Sequence, residues 1–209
     1  MTASSLPATY FDDVYAADAD PWQFETSDYE RSKYAATLAA LPRPRFKSAF
    51  EIGCSIGVLT AALADRCDRL LAVDVSEAAL SSARRRLAGK EHVRLERLSV
   101  PQEFPTERFD LVLLSEVGYY WATEDLHRAA ERITASLWPG GVLVLVHWTL
   151  PVHDYPLTGD AVHMHFLSLA TPGGPLQHLS GQREASYRLD VLLRSADAPS
   201  DGGNKCCTV

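Results

Sequence analysis

The sequence predicts an α/β fold built on a doubly wound, mostly parallel sheet. Apolar runs of strand length alternate with helical stretches from residue 49 to residue 146, the pattern of β–α–β units with right-handed crossovers. Leu111–Leu114 is wholly apolar, as expected of a central strand buried on both faces. The chain has 209 residues, 46% hydrophobic and 22% charged. That is enough to bury a large core without a disulfide or metal staple. One domain is expected over residues 1–195, with an N-terminal segment (1–45) ahead of an α/β core (46–195). Residues 196–209 are small and polar and are expected to form a disordered tail.

Each element has its own local reason. Tyr10, Phe11, Val14 and Tyr15 fall on one face of a short helix, which Asp20-Pro21-Trp22 breaks. Ser27 and Glu30 have capping-box spacing, so a second helix starts there and ends before Pro42 and Pro44. Ala49–Ile52 is a short strand, residues 53–57 a loop and Val58–Arg66 a helix. Leu70–Val73 is the second strand. Ser76–Ala88 is a helix with Ser76 as N-cap and Gly89 past its end. Val93–Arg97 and Leu111–Leu114 are the third and fourth strands, and Thr123–Leu137 is a helix. Trp138-Pro139-Gly140-Gly141 reads as a turn before the fifth strand, Val142–Val146. Ala161–Ala170 reads as a helix, and Leu176–Leu179 with Tyr187–Leu193 as a hairpin-like strand pair.

Composition removes several function classes. Lys+Arg is 20 against Asp+Glu 27, a net charge of -7, the wrong sign for a protein that holds a nucleic-acid backbone. Cys54, Cys67, Cys206 and Cys207 form no C-x-x-C pair, so no zinc site is expected. His163 and His165 sit two apart and cannot share one helix face. No apolar stretch is long enough to span a bilayer. No signal peptide is read at the start, and the expected compartment is the cytoplasm. The last four residues, Cys206–Val209, have the position of a prenylation box but lack an aliphatic residue at 208 and a preceding basic run.

The sharpest local signal is Glu51-Ile52-Gly53-Cys54-Ser55-Ile56-Gly57 between a strand and a helix. Glycines there allow a tight turn and close approach of backbone to a ligand, and the helix start offers unpaired N–H groups. Asp74 ends the next strand, where a carboxylate can accept hydrogen bonds from both hydroxyls of a ribose. In a doubly wound sheet this is the crevice for nucleotide-like ligands. The dinucleotide fingerprint G-x-G-x-x-G fails at Ser55 and Val58, which disfavours a nicotinamide oxidoreductase. An acidic-x-G-x-G-x-G loop fits better, with only its middle glycine replaced, by Ser55. The plain alternative is a loop that merely closes a strand–helix turn.

That loop resembles the one in class I S-adenosylmethionine-dependent methyltransferases. Phe109–Val117 and Leu137–Gly141 are similar to the family's fourth strand and the turn before its fifth. Asp20-Pro21-Trp22, Tyr29-Glu30-Arg31 and Ser115–Tyr120 resemble the nodulation protein S group, which N-methylates an amino sugar. The resemblance implies a Rossmann-like seven-stranded sheet with an antiparallel last strand and an N-terminal helical lid. It also implies S-adenosylmethionine as cofactor, no metal, and a small or amino-sugar-like acceptor; it leaves the oligomeric state open. Gly53, Cys54, Ser55, Gly57, Asp74, Val75 and Ser115 are the implied cofactor contacts. Ser99 stands where many members carry an Asp near the adenine, and the backbone groups of Ser99 and Val100 are the implied contacts there. Arg31 is a candidate partner for the cofactor's methionine carboxylate and Trp22 for its sulfonium side.

For chemistry, Glu116 and Tyr120 follow the fourth strand and His147 the fifth, all at the crevice edge. Glu116 is the candidate holder of an amine, and His147 titrates in the range useful to a base. Their plain alternatives are a capping carboxylate, a packed aromatic ring and a satisfied structural histidine. Two rival functions stay open: O-methylation of a small hydroxylated metabolite with His147 as base, and a non-catalytic module that binds the nucleoside.

Overall fold

Residues 4–196 are described by a computed structural model of the chain. Seven strands are present: β1 (Ala49–Ile52), β2 (Leu70–Asp74), β3 (Val93–Arg97), β4 (Phe109–Ser115), β5 (Leu137–Trp148), β6 (Leu176–Arg183) and β7 (Tyr187–Arg194). Six α-helices accompany them: α1 (Ala8–Ala17), α2 (Asp28–Ala39), α3 (Val58–Ala64), α4 (Glu77–Arg86), α5 (Thr123–Ser136) and α6 (Gly159–Ser168). The strands form one sheet in the order β3-β2-β1-β4-β5-β7-β6. The first five are parallel, and β7 runs antiparallel to both β5 and β6. This is the Rossmann-like, mostly parallel sheet that the sequence predicts. The expected tail and the Cys206–Val209 box lie outside the described residues, apart from residue 196.

Alternation along the strands divides the core. Phe50, Ile52, Leu71, Val73, Val112 and Leu114 pack with Leu126, Ile133 and Phe166 of α5 and α6. Ala49, Leu70, Leu111, Leu113, Val142 and Val144 face the other way, against Leu59 and Leu63 of α3 and Leu38 of α2. Helices on both faces leave β1, β2 and Leu111–Leu114 of β4 fully buried, while β3 at the sheet edge stays partly exposed, which is why the 111–114 run is wholly apolar. Among the described residues no helix is long and apolar enough to cross a membrane.

Two local readings change. The Trp138–Gly141 turn belongs to β5 as a bulge. Leu137 pairs with Phe109 and Val142 with Leu111, so residues 138–141 loop out opposite Asp110, helped by the positive φ of Gly140 (74°). The capping box is only half made. Ser27 Oγ accepts the Glu30 N–H (3.3 Å), but the Glu30 side chain turns inward to Lys33 rather than back to the cap.

Strand order reverses between β1 and β4, because the chain builds outward through β2 and β3 and then returns to add β4. A crevice opens at the carboxyl ends of strands flanking such a switch point. Helix α1 lies across it. Leu6 N–H donates to the Tyr120 carbonyl (2.9 Å), Phe11 meets the Tyr120 ring edge-on (4.9 Å) and the Tyr15 hydroxyl pairs with Ser55 Oγ.

Candidate active site

The crevice is a cavity of about 660 Å³, within the usual size of small-molecule sites. Its walls come from the strand ends and from the N-terminal segment. Of the residues singled out in the sequence, Gly53, Cys54, Ser55, Asp74, Val75, Ser99, Val100, Ser115, Glu116, Tyr120 and Trp22 all line it. The strands deliver them together because their carboxyl ends share one edge.

The loop after β1 is shaped by its neighbours. Gly53 has φ 79°, and a Cβ there would fall 2.1 Å from Val117 Cγ2. Ser55 also has positive φ (50°), and its N–H donates to Asp74 Oδ2 (2.8 Å) while Ser76 N–H donates to Oδ1 (2.9 Å). Burial pushes the Asp74 pKa up, and these backbone donors oppose the shift. Each Asp74 oxygen keeps a lone pair for a further donor. Glu51 is 2% exposed and lines the cavity; its Oε2 has no hydrogen-bond partner. Burial raises its pKa to about 7.

Three of the expected site residues stand elsewhere. Gly57 does not line the cavity. It caps α3 with φ 79°, and a Cβ there would press on Ala83 at 3.0 Å, so this glycine serves helix packing. Arg31 points to solvent, its guanidinium paired with Asp28 (2.6 Å) and 68% exposed; residue 31 lies on the outer face of α2. His147 is wholly buried, away from the cavity. Its Nε2 accepts the Gly118 N–H (3.1 Å), and burial lowers its pKa well below the ordinary histidine value. With no access to substrate, it cannot serve as the base.

The inner face of α2 supplies what sequence reasoning missed. Lys33 Nζ donates to Glu30 Oε1 (2.9 Å) and to Glu116 Oε1 (2.7 Å), and its side chain is 2% exposed. Burial pulls the lysine pKa down, but the two carboxylates outweigh it and the net shift is upward. Burial raises the pKa of Glu30 despite the lysine. Glu116 Oε2 accepts from the Tyr119 hydroxyl (2.5 Å) and the Trp148 N–H (2.9 Å). Around this cluster stand Tyr29, Tyr34, Tyr119, Tyr120, Trp148 and Tyr155, all lining the same cavity. Lys33 follows Glu30 by three positions, a spacing visible in the sequence, but it reads there as an ordinary surface pair. Only the packing of α2 against Glu116, Trp148 and Tyr187 marks it as a site.

Sheet order, glycine loop and the acid ending β2 together are those of the class I methyltransferase fold. The chain belongs to one family within it, nodulation protein S (NodS), whose family model matches residues 12–147. It is 34% identical over 127 residues to nodulation protein S of Bradyrhizobium diazoefficiens, covering 60% of this chain and 61% of the relative. The chain thus spans about three-fifths of the length of the curated relatives it matches. A candidate methyltransferase from Pseudomonas syringae superposes with a TM-score of 0.69 at 39% identity, over 79% of this chain and 99% of that one. The N-methyltransferase NodS of Bradyrhizobium japonicum WM9, solved with S-adenosyl-l-homocysteine, shares the fold at a TM-score of 0.78 and 23% identity, over 90% and 98% of the two chains.

Proposed function

We propose that this protein transfers the methyl group of S-adenosylmethionine to the nitrogen of a small cationic amine, an amino sugar being one such acceptor. One observation carries the amine. The α2 side of the cavity holds two carboxylates, Glu30 and Glu116, against the single ammonium of Lys33, and an excess of buried negative charge favours a cation. The relatives support it, since one of them is an N-methyltransferase.

The residues suit the cofactor. Asp74 has spare lone pairs for the ribose hydroxyls. Ser99 and Val100 border the adenine end, and Gly53 lets the backbone approach closely. Glu51, buried with an unpartnered oxygen, suits the methionine ammonium. S-adenosylmethionine, when bound, supplies a methyl group already activated by a positive sulfur. The chain then has to align an acceptor and exclude water, and alignment of this kind lowers a barrier by roughly 7–11 kcal/mol. Glu116 holds the amine with its remaining lone pair. Glu30, its pKa raised by burial, receives the proton that the amine must lose before its nitrogen can attack. The Tyr119 hydroxyl holds Glu116 in place, and Tyr120 walls the acceptor. The test is turnover with methyl-labelled S-adenosylmethionine on matched amines and alcohols, with products read by mass spectrometry. N-methyl product is expected. Label on oxygen favours the O-methyl reading, and binding without any transfer favours a silent nucleoside-binding module.

Two further results are expected. Glu51 carries a pKa of about 7 against an ordinary 4.5. An acid with a raised folded-state pKa costs stability as pH climbs from the unfolded value, and the cost is complete above the folded one. Glu51→Gln therefore stabilises the ligand-free protein at pH 8 by about 1–3 kcal/mol and has little effect near pH 4.5. An ammonium beside Glu51 favours its charged form, so S-adenosylhomocysteine affinity rises from pH 6 to 8 in the parent and stays flat in Glu51→Gln; calorimetry and thermal melts read both. The second result concerns α1, which touches Ser55 at one end of the crevice and Tyr120 at the other. Amide exchange in residues 10–31 slows when S-adenosylhomocysteine is added, and no change there would remove the lid role.

A further inference from the structure

We propose that His147, His163 and Asp190 form a buried positioning relay that anchors the Gly118–Tyr120 turn and, through it, the acceptor end of the crevice. The directions of the hydrogen bonds carry the argument. Gly118 N–H can only donate, so His147 Nε2 (3.1 Å) must be an acceptor. A neutral His147 then bears its proton on Nδ1, which lies 3.1 Å from His163 Nε2. That nitrogen accepts, which places the His163 proton on Nδ1, 2.6 Å from Asp190 Oδ2. Only one tautomer pair satisfies every link.

The chain has no room for another proton. Protonating His147 would set an Nε2–H against the Gly118 N–H. Protonating His163 would set its Nε2–H against the His147 Nδ1–H, and the only escape is for His147 to switch tautomer and lose Gly118. Both rings have 0% exposure, so water cannot compensate a broken link.

Asp190 ends the relay, taking Arg188 Nε (2.6 Å) and His178 Nε2 (2.7 Å) as well. The groups around the two rings are Tyr119 on the 118–120 turn, 5.5 Å from the His147 ring, Lys33 on α2, Asp160 on α6, Asp190 and Arg188 on β7 and His178 on β6. The turn leans directly on this framework. A Cβ on Gly118 would sit 2.6 Å from Val162 Cγ1 and 3.0 Å from His147 Nε2. Glu116, two residues earlier, has a left-handed backbone (φ 58°), and Tyr119 within the turn holds its carboxylate. The relay thus positions Glu116, through Tyr119, and Tyr120, two of the groups assigned to the acceptor, without touching it.

The functional part rests on the amine-methylation reading, but the tautomer part does not. NMR of the imidazole nitrogens in the full chain should show His147 and His163 neutral and protonated on Nδ1 from about pH 5.5 to 8. His147→Leu deletes the acceptor for Gly118 and should lower kcat about a hundredfold. Calorimetric affinity for S-adenosylhomocysteine should stay within about twofold, because the cofactor half is untouched. His147→Gln offers an amide oxygen to the same N–H and should recover most of kcat. An Nε2–H tautomer at His147, an imidazolium at either ring in that pH range, or equal impairment of the Leu and Gln variants overturns the relay. Absence of any methylated amine overturns the functional reading instead and leaves the NMR result to decide the relay.

Discussion

Asp74→Ala is expected to weaken cofactor binding strongly while the sheet stays folded. The carboxylate organises the Ser55 and Ser76 N–H groups and keeps lone pairs for a ligand. Losing hydrogen bonds to a charged group costs about 1.5–3 kcal/mol, so S-adenosylhomocysteine affinity falls roughly 10- to 150-fold. The loop itself also loosens, because two backbone donors lose their acceptor. Asp74→Asn separates the two effects. Its amide oxygen can hold one of the N–H groups, so the loop stays closer to its native shape, yet it brings no charge and recovers only part of the affinity. Calorimetry on the three proteins measures this, and equal affinities would move the ribose away from Asp74.

A still larger effect on stability is expected from Lys33→Met. The substitution keeps a linear apolar stem but removes the one cation between Glu30 and Glu116. Breaking a buried pair from one side leaves unpaired charge and costs about 3–5 kcal/mol. The sign with pH follows from burial. Without the lysine Glu30 faces a second carboxylate in a desolvated site, and its folded-state pKa, already raised by burial, rises further. Such a group destabilises increasingly as pH goes up, so the gap between variant and parent is widest near pH 8 and narrows toward pH 5. Adding Glu116→Gln to Lys33→Met restores much of the loss, because one carboxylate alone can take up a proton. Denaturant melts across that pH range provide the check, and a gap independent of pH would mean that packing, not charge, sets the cost.

The two variants divide along the line that separates what was legible in the sequence from what was not. The place of Asp74 at the crevice could be read because it follows from local order: a strand end, one loop earlier a glycine turn, and a crevice fixed by topology. The same logic put Gly53, Ser55 and Ser115 on its wall. Lys33 and Glu30 could not be read, because their meaning depends on which face of α2 is buried, and that face meets Glu116, Trp148 and Tyr187 far along the chain. Glu30 also fits a capping box, a local explanation that happens to be half true. His147 was found at the correct strand end with the wrong role: β5 points it inward, toward α6 and β7. Arg31 shows the same limit, since the side of the helix on which it lies is decided by the tertiary burial of Glu30 and Lys33. The bulge at 138–141 reads as a turn because proline and two glycines have the same local signature in either setting.

Helix α1 bears on the rate of turnover. This helix and the Leu6 just before it contact the loop after β1 through Tyr15 and the wall at Tyr120 through Leu6 and Phe11, the places proposed for the cofactor and the acceptor. The two ligands therefore share a single door. A segment seated on both cannot release one while staying closed over the other, so departure of the methylated product and of S-adenosylhomocysteine become successive stages of one opening. On the proposed amine-methylation reading, exit is then expected to be slower than chemistry, with the first turnover faster than those that follow. Rapid-quench measurement of an initial burst would expose that order, and Phe11→Ala, by loosening the acceptor side of the door, would flatten the burst by speeding the steady state.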